Sequence, residues 1–295
     1  MVGADVGVLI IHYGDMSITE RCVSSLLDQI SRDHLVIVAN SPVPEKWQSG
    51  AIVLPQTTNR GYGSAVNVGA EFAQSQGWTK LVVTNNDVVF LPGSLSALIF
   101  EVQAEGIRTV VSPLVLWGDS STVLSYGGHL SKWRAIGLNG FTSRPVPPNS
   151  VRNRMPPQTF LSGCCFGAPV DLLVRYPFEP DYFLYYEDAL WCMSLQSEAN
   201  VHLMAAKESC IRHYPSSTTR INSPLYLYYN TRNRLFFAHS IGGLPGLTAV
   251  VYTLLGVLKN FSVQSMKGNG AGARAVLTAV RDFSSGRLGR REDLT

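Results

Sequence analysis

Five short apolar runs, Val6–Tyr13, Leu35–Asn40, Ala51–Leu54, Lys80–Asn85 and Thr109–Val115, do most to limit what this chain can fold into. None alternates polar with apolar residues, the pattern of strands covered on both faces in a parallel sheet. Helical periods lie between most of them. Ser17 and Glu20 have the spacing of a capping box, and Cys22, Val23, Leu26, Leu27 and Ile30 then share one helical face. Ser64–Gln76 and Ser94–Ala104 repeat the logic. The alternating order predicts an α/β fold with a doubly wound, mostly parallel sheet flanked by helices. Ligands of such sheets bind beyond the carboxyl ends of the strands.

Beyond Val115 the rhythm changes. Gly118–Trp133 suggests a hairpin around Gly127-Gly128, and Thr142–Thr159, with five prolines and three arginines, reads as a loop or lid. Order returns at Phe160–Phe166, then a helical stretch within Asp181–Ala199, then strands Val201–Ala206 and Cys210–Tyr214. From Pro224 the chain reads as helical. Leu244–Leu258 is strongly apolar but holds Pro245, Gly246 and Gly256, and it falls short of the ~20 residues of a spanning helix. Either an interfacial amphipathic segment or a packing helix fits it. From Lys259 onward seven basic residues face three acidic ones, which favours an acidic surface as neighbour.

A length of 295 residues with 45% hydrophobic content allows one large α/β unit with an appendage. The expected division is residues 1–240, split near 115 into two halves, and a helical, basic extension over 241–295. Cys22, Cys164, Cys165, Cys192 and Cys210 lack C-x-x-C spacing, so buried reduced thiols are expected rather than disulfides or zinc ligands. The opening Met1-Val2-Gly3-Ala4-Asp5 carries no basic or cleavable leader pattern, so a cytoplasmic location, associated with the inner face of the membrane, is the expectation.

Four segments carry candidate chemistry. Asn59–Gly69 is glycine-rich, but Val66 stands where a dinucleotide fingerprint needs its third glycine, and the run does not follow the first strand. It reads instead as a turn presenting backbone amides to a phosphate or ribose, with Asn59, Arg60 and Asn67 as donors, or as a plain tight turn. Asp87 ends Thr84-Asn85-Asn86-Asp87 just past a strand, where one carboxylate suits Mg²⁺ or Mn²⁺ if a diphosphate supplies further oxygens; helix capping is the alternative. Glu187-Asp188 follows an aromatic run at a helix start, where the helix dipole would favour the ionised form a general base needs; simple helix-start acids are the alternative. His213 ends a strand and is a candidate second metal ligand.

The stretches CVSSLLDQ (Cys22–Gln29), VANS (Val38–Ser41), NRGYGSAVNVG (Asn59–Gly69), TNND (Thr84–Asp87), FLSG (Phe160–Gly163), YFLYYEDALW (Tyr182–Trp191), HYPSS (His213–Ser217) and YNTRNRL (Tyr229–Leu235) resemble, in this order, the family 2 glycosyltransferases of the GT-A fold. The resemblance is closer to the rhamnosyltransferase-like members that build bacterial surface polysaccharides. It implies an inverting, metal-dependent enzyme with a nucleotide-diphosphate sugar as donor, a saccharide or lipid-linked saccharide as acceptor, and a divalent cation, Mg²⁺ or Mn²⁺, as cofactor.

Carried over position by position, the resemblance makes Asp87 a metal ligand with His213 beside it, and Asp188 the catalytic base. Asn40, Asn59, Arg60, Gly61, Asn67, Asn85 and Asn86 would face the nucleotide in the half before residue 115; Arg220, by its place in the polar loop after His213 and not by the resemblance, is a candidate to meet the diphosphate. Gly163, Glu187 and Trp191 would border the acceptor. Two positions depart from the family: Ala39 stands where an acid usually holds the nucleobase, and Leu190 where an acid often follows Glu-Asp-x. A small natural-product acceptor, or a non-catalytic sugar-nucleotide-binding protein, is the other reading. Peripheral contact with a membrane through the basic C-terminal segment is expected, a homodimer is left open, and no nucleic-acid partner is expected.

Overall fold

The computed structural model describes residues 3–44, 50–102, 108–139, 159–196, 201–215 and 222–294. The first part alternates as the sequence predicts: β1 (Val6–His12), α1 (Met16–Leu26), β2 (Leu35–Ala39), β3 (Ile52–Pro55), α2 (Tyr62–Ser75), β4 (Lys80–Asn85), β5 (Val88–Phe90), α3 (Ser94–Val102) and β6 (Arg108–Trp117). Helix α1 starts earlier than a cap at Ser17 would allow. Asp15 is the N-cap, its carboxylate accepting from the Ser17 amide at 2.9 Å.

Strand residues divide by parity between two cores, because successive side chains point to opposite faces. Leu9, Ile11, Val36, Val38 and Val83 pack with Ala65 and Val66 of α2; Val8, Ile10, Ile37 and Val82 pack with Cys22, Val23 and Leu26 of α1 and Leu95 and Leu98 of α3. All five cysteines are buried free thiols, and burial pushes Cys165 and Cys192 up to about 12.

The second part contains β7 (Val123–Ser125), β8 (Gly128–Ser131), β9 (Ile136–Asn139), β10 (Cys165–Pro169), α4 (Val170–Arg175), α5 (Glu187–Leu195) and β11 (Val201–His213). The sheet runs β3-β2-β1-β4-β10-β6-β11-β5, with β7 on β6. Pairings among β3, β2, β1 and β4 are parallel, as is β6 with β11, whereas β10 is antiparallel to both β4 and β6. The sheet is therefore mixed. The hairpin lies one strand later than Gly127-Gly128 suggests: Gly128 begins β8, which pairs antiparallel with β9, and Ala135 (φ 48°) sits in the connecting turn. The two strands expected over Val201–Tyr214 are one, β11, with a register shift between Ala205 and Cys210. The lid expected at Thr142–Thr159 lies, but for Thr159, outside the described residues.

Three helices follow, α6 (Pro224–Ile241), α7 (Gly243–Met266) and α8 (Gly270–Ser284). The apolar run at Leu244–Leu258 is thus part of a 24-residue helix, long enough to cross a membrane by length and composition. Pro245 does not break it because a first-turn proline gives up an amide with no intrahelical partner. The division expected at residue 240 falls near the C-terminal end of α6, which shares a core with the two helices after it: Phe183 packs with Leu227, Tyr228 and Tyr229 of α6, Val257 of α7, and Ala275, Val276 and Ala279 of α8.

Candidate active site

A cavity of about 330 Å³ opens at the carboxyl ends of the parallel strands. Five segments converge there for reasons visible in the strand pairing. Strand β1 delivers Tyr13, β2 delivers Asn40, and β4 runs out into Asn85, Asn86 and Asp87. Cys165 of β10 lies opposite Thr84, so the residues before β10 reach the same rim, and the Asn85 amide donates to the Cys164 carbonyl at 3.0 Å. Strand β11 ends with His213 opposite Val88, which sets that histidine beside Asp87.

Asp87 Oδ1 and His213 Nε2 are 3.0 Å apart, with side chains 13% and 15% exposed. Pairing continues past them, the Tyr214 amide donating to the Asp87 carbonyl at 2.8 Å. His213 Nδ1 is buried without a hydrogen-bond partner among the described residues. One carboxylate oxygen and one imidazole nitrogen suit a divalent cation of the Mg²⁺ or Mn²⁺ type. Among the described residues no group of three or more His, Cys, Asp or Glu could hold a metal ion, so this pair fits an ion that also takes oxygens from a ligand.

Across the same cavity stand Glu187 and Asp188, the first residues of α5. Asp188 Oδ2 accepts from the Gly163 amide at 3.1 Å and Oδ1 from the Ala189 amide at 2.8 Å. The Gly163 carbonyl accepts from the Tyr62 hydroxyl, and a side chain on Gly163 would press on Tyr62 and on the Asp188 Cβ. Glu187 is buried, and its Oε2 has no hydrogen-bond partner among the described residues.

Burial, not the helix dipole, decides the protonation of this pair. Desolvation raises both carboxyls above their ordinary values, and the charge of Asp188 raises Glu187 further. The amide donors from Gly163 and Ala189 oppose the shift at Asp188 without cancelling it. A base with a raised pKa ionises only as pH climbs through that value. With Asp188 in the role of base that the resemblance implies, the acid limb of activity against pH is expected above ~4, the ordinary carboxylate value, and a limb at or below it would remove Asp188 from that role.

The loop leading into α5 is built against conformational preference. Phe183, Tyr185 and Tyr186 have φ of 62°, 68° and 71°, a region that non-glycine residues rarely adopt. The buried Asn233 of α6 holds it, its Nδ2 lying 2.7, 2.8 and 2.9 Å from the carbonyls of Tyr182, Leu184 and Tyr185. Fully buried Arg232 orients that amide through Nε to Asn233 Oδ1 at 2.8 Å, and donates to the carbonyls of Tyr182 and Gly289. Neither residue is singled out by sequence reasoning, although both lie in the stretch YNTRNRL. Gly61 completes the support: its φ of 94° needs glycine, a Cβ there would run into the Phe183 carbonyl, and Tyr62 donates its amide to that carbonyl at 3.1 Å.

Of the residues expected at the nucleotide, Asn40, Asn59, Gly61, Asn85 and Asn86 line the cavity. Several are already engaged: Asn40 Nδ2 donates to the Gly61 carbonyl at 3.2 Å, Asn59 Oδ1 accepts from the Gly61 amide at 2.8 Å, and Asn86 Nδ2 donates to Thr19 Oγ1 at 2.9 Å. Thr19 also bonds the buried His12, which sequence reasoning overlooks and whose pKa burial lowers.

Arg60 is exposed and outside the cavity lining. Asn67 clamps the backbone of Phe178, donating to its carbonyl at 2.8 Å and accepting from its amide at 2.9 Å. Trp191 is a core residue rather than an acceptor wall: it is 4% exposed, stacks on Phe178 at 4.6 Å, and donates to the Tyr176 carbonyl. Arg220 lies outside the described residues.

This arrangement of sheet and cleft is that of the GT-A glycosyltransferases. GalNAc-T7, solved with UDP, GalNAc and Mn²⁺, superposes with a TM-score of 0.58 at 13% identity over 88% of this chain, which spans 57% of that chain. The mannosyltransferase PcManGT from Pyrobaculum calidifontis, solved with GDP-Man and Mn²⁺, gives 0.54 at 11% identity, covering 95% of this chain and 75% of that one. S. aureus TarS 1–349 with UDP-GlcNAc gives 0.53 at 14% identity, over 95% and 80%.

The chain belongs to glycosyl transferase family 2, whose model matches residues 7–175. A relative is the low-salt glycan biosynthesis hexosyltransferase Agl10 of Haloferax volcanii, 23% identical over 263 residues, 86% of this chain and 81% of that protein.

Proposed function

We propose that this glycosyltransferase moves a sugar from a nucleotide-diphosphate donor to a hydroxyl of a saccharide acceptor, with inversion at the anomeric carbon, in the assembly of a cell-surface glycan. The observation that carries the reading is one cavity lined on one side by Asp87 and His213 and on the other by Glu187 and Asp188. The nucleotides and sugars bound by the solved relatives, and the glycan-building role named for Agl10, support the donor and acceptor classes. Rhamnose as the sugar draws support from the motif resemblance alone.

Asp87 and His213 would hold a divalent cation, which when bound stabilises negative charge on the departing diphosphate. Asn40, Asn59 and Asn85 line the same cavity and would face the donor. Asp188 accepts the proton of the acceptor hydroxyl as its oxygen attacks from the face opposite the leaving group. The Gly163 and Ala189 amides hold the carboxylate in place for that transfer. Glu187 Oε2, left without a protein partner among the described residues, is free to bond a neighbouring acceptor hydroxyl.

A thermal-shift screen of nucleotide sugars with Mn²⁺ or Mg²⁺ tests the donor half. Selective binding stabilises the fold by ~2.7 kcal/mol at a hundred times Kd, and the matching donor is expected to raise Tm while its free sugar does not. Failure of every nucleotide sugar to stabilise the protein would overturn the reading.

A further inference from the structure

Helix α7 has two unlike faces. Gly246, Ala249, Thr253, Val257 and Gln264 are buried where it packs on α6 and α8. On the other side Leu244, Leu247, Val251, Leu255 and Leu258 are between 51% and 66% exposed. Their spacing of three and four residues makes one continuous stripe. A helix seated along its length on two protein helices, with Thr253 and Gln264 inside that contact, cannot be wrapped by lipid on all sides. The helix is long and apolar enough to cross a membrane, with a mean hydropathy of 1.4, but with one side held on protein it offers lipid only the apolar stripe.

The edge of the stripe is cationic. The guanidinium groups of Arg134 and Arg234 lie over the Tyr252 ring at 5.6 and 5.5 Å, and exposed Lys259 follows one turn after Leu255. Arg234 also borders a second cavity of about 390 Å³, which shares Tyr185, Glu187 and Asp188 with the first. Its Nε is buried without a hydrogen-bond partner among the described residues.

We propose that the Leu244–Leu258 stripe and its Arg134, Arg234 and Lys259 edge dock on a membrane leaflet carrying anionic phospholipids, with α7 lying in the interfacial plane. Apolar side chains enter the acyl boundary, and the cations meet headgroup phosphates. The second cavity then opens beside the leaflet, so that an acceptor anchored in lipid reaches Asp188 from the membrane side; this last step rests on the glycosyl-transfer reading, and the docking does not.

Flotation of the full chain with vesicles tests it. Binding is expected to phosphatidylcholine mixed with phosphatidylglycerol, and to fall by on the order of 100-fold in Leu247→Ser/Leu255→Ser, since each leucine carried into the acyl boundary contributes about one decade. Lys259→Glu is expected to weaken binding to the mixed vesicles but not to phosphatidylcholine alone. Phe100→Ser, at a 73% exposed site on α3, is expected to leave binding unchanged. Tm and its rise with the donor, measured on each variant, show that the fold and the donor site persist.

Absence of vesicle binding by the unaltered protein, or equal binding by the double variant, overturns the proposal while leaving the transferase reading intact. A dimer that the double variant dissociates, without vesicle binding, also overturns it and makes a second copy the occupant.

Discussion

Asp188→Asn is expected to lower turnover by at least ~10²-fold while the donor still binds, because a general base contributes on the order of 10²–10⁴ and the amide cannot take up a proton. The substitution is nearly isosteric, but the Gly163 and Ala189 amides donate to different carboxylate oxygens, so asparagine keeps one of these bonds and turns its NH2 toward the other amide. Loss is expected in kcat, with the donor-induced rise in Tm preserved. Near-normal turnover in that variant would remove Asp188 from the chemistry and return attention to Glu187.

The second large effect is expected at Asp87. With Asp87→Ala, His213 alone remains of the pair, and stabilisation by nucleotide sugar should become insensitive to added Mn²⁺ or Mg²⁺. Turnover should fall by on the order of 10²-fold or more, since a Lewis acid at a leaving group contributes several kcal/mol and each 1.36 kcal/mol is tenfold in rate. A chelator should reproduce that loss in the unaltered enzyme and do nothing further in the variant. If chelation leaves the unaltered enzyme fully active, the Asp87–His213 pair has another purpose, such as fixing β5 against β11, whose pairing ends at His213 and Val88.

The parallel half of the sheet was legible because its signals are local. Runs such as Val6–His12 need no partner to announce that both faces are covered, and the place of Asp87 just past β4 follows from the same run. Antiparallel β10 was not legible. Its five residues, Cys165–Pro169, carry no period, and their slot between β4 and β6 is set by long-range register.

Site residues divide on the same principle. Asp87, Asp188 and Gly163 stand where their own segments begin or end, so their place at the cavity follows from position along the chain. Asn67 and Trp191 misled because their polar atoms are satisfied by Phe178 and Tyr176, partners that no local pattern discloses. Asn233 carries no local signal for the converse reason, since all three carbonyls it holds lie some fifty positions earlier.

The left-handed residues before α5 also set a phase. A helix advances about 100° per residue, so where winding begins decides which way Asp188 points. Tyr186 ends the loop at φ 71° and ψ −7°, and Glu187 takes the first helical position. Deleting or inserting one residue among Phe183–Tyr186 would turn α5 by that angle, carrying the carboxylate out of the cleft while hydrophobic content and net charge stayed nearly the same. Length in this loop thus sets where Asp188 points, a constraint that composition does not carry.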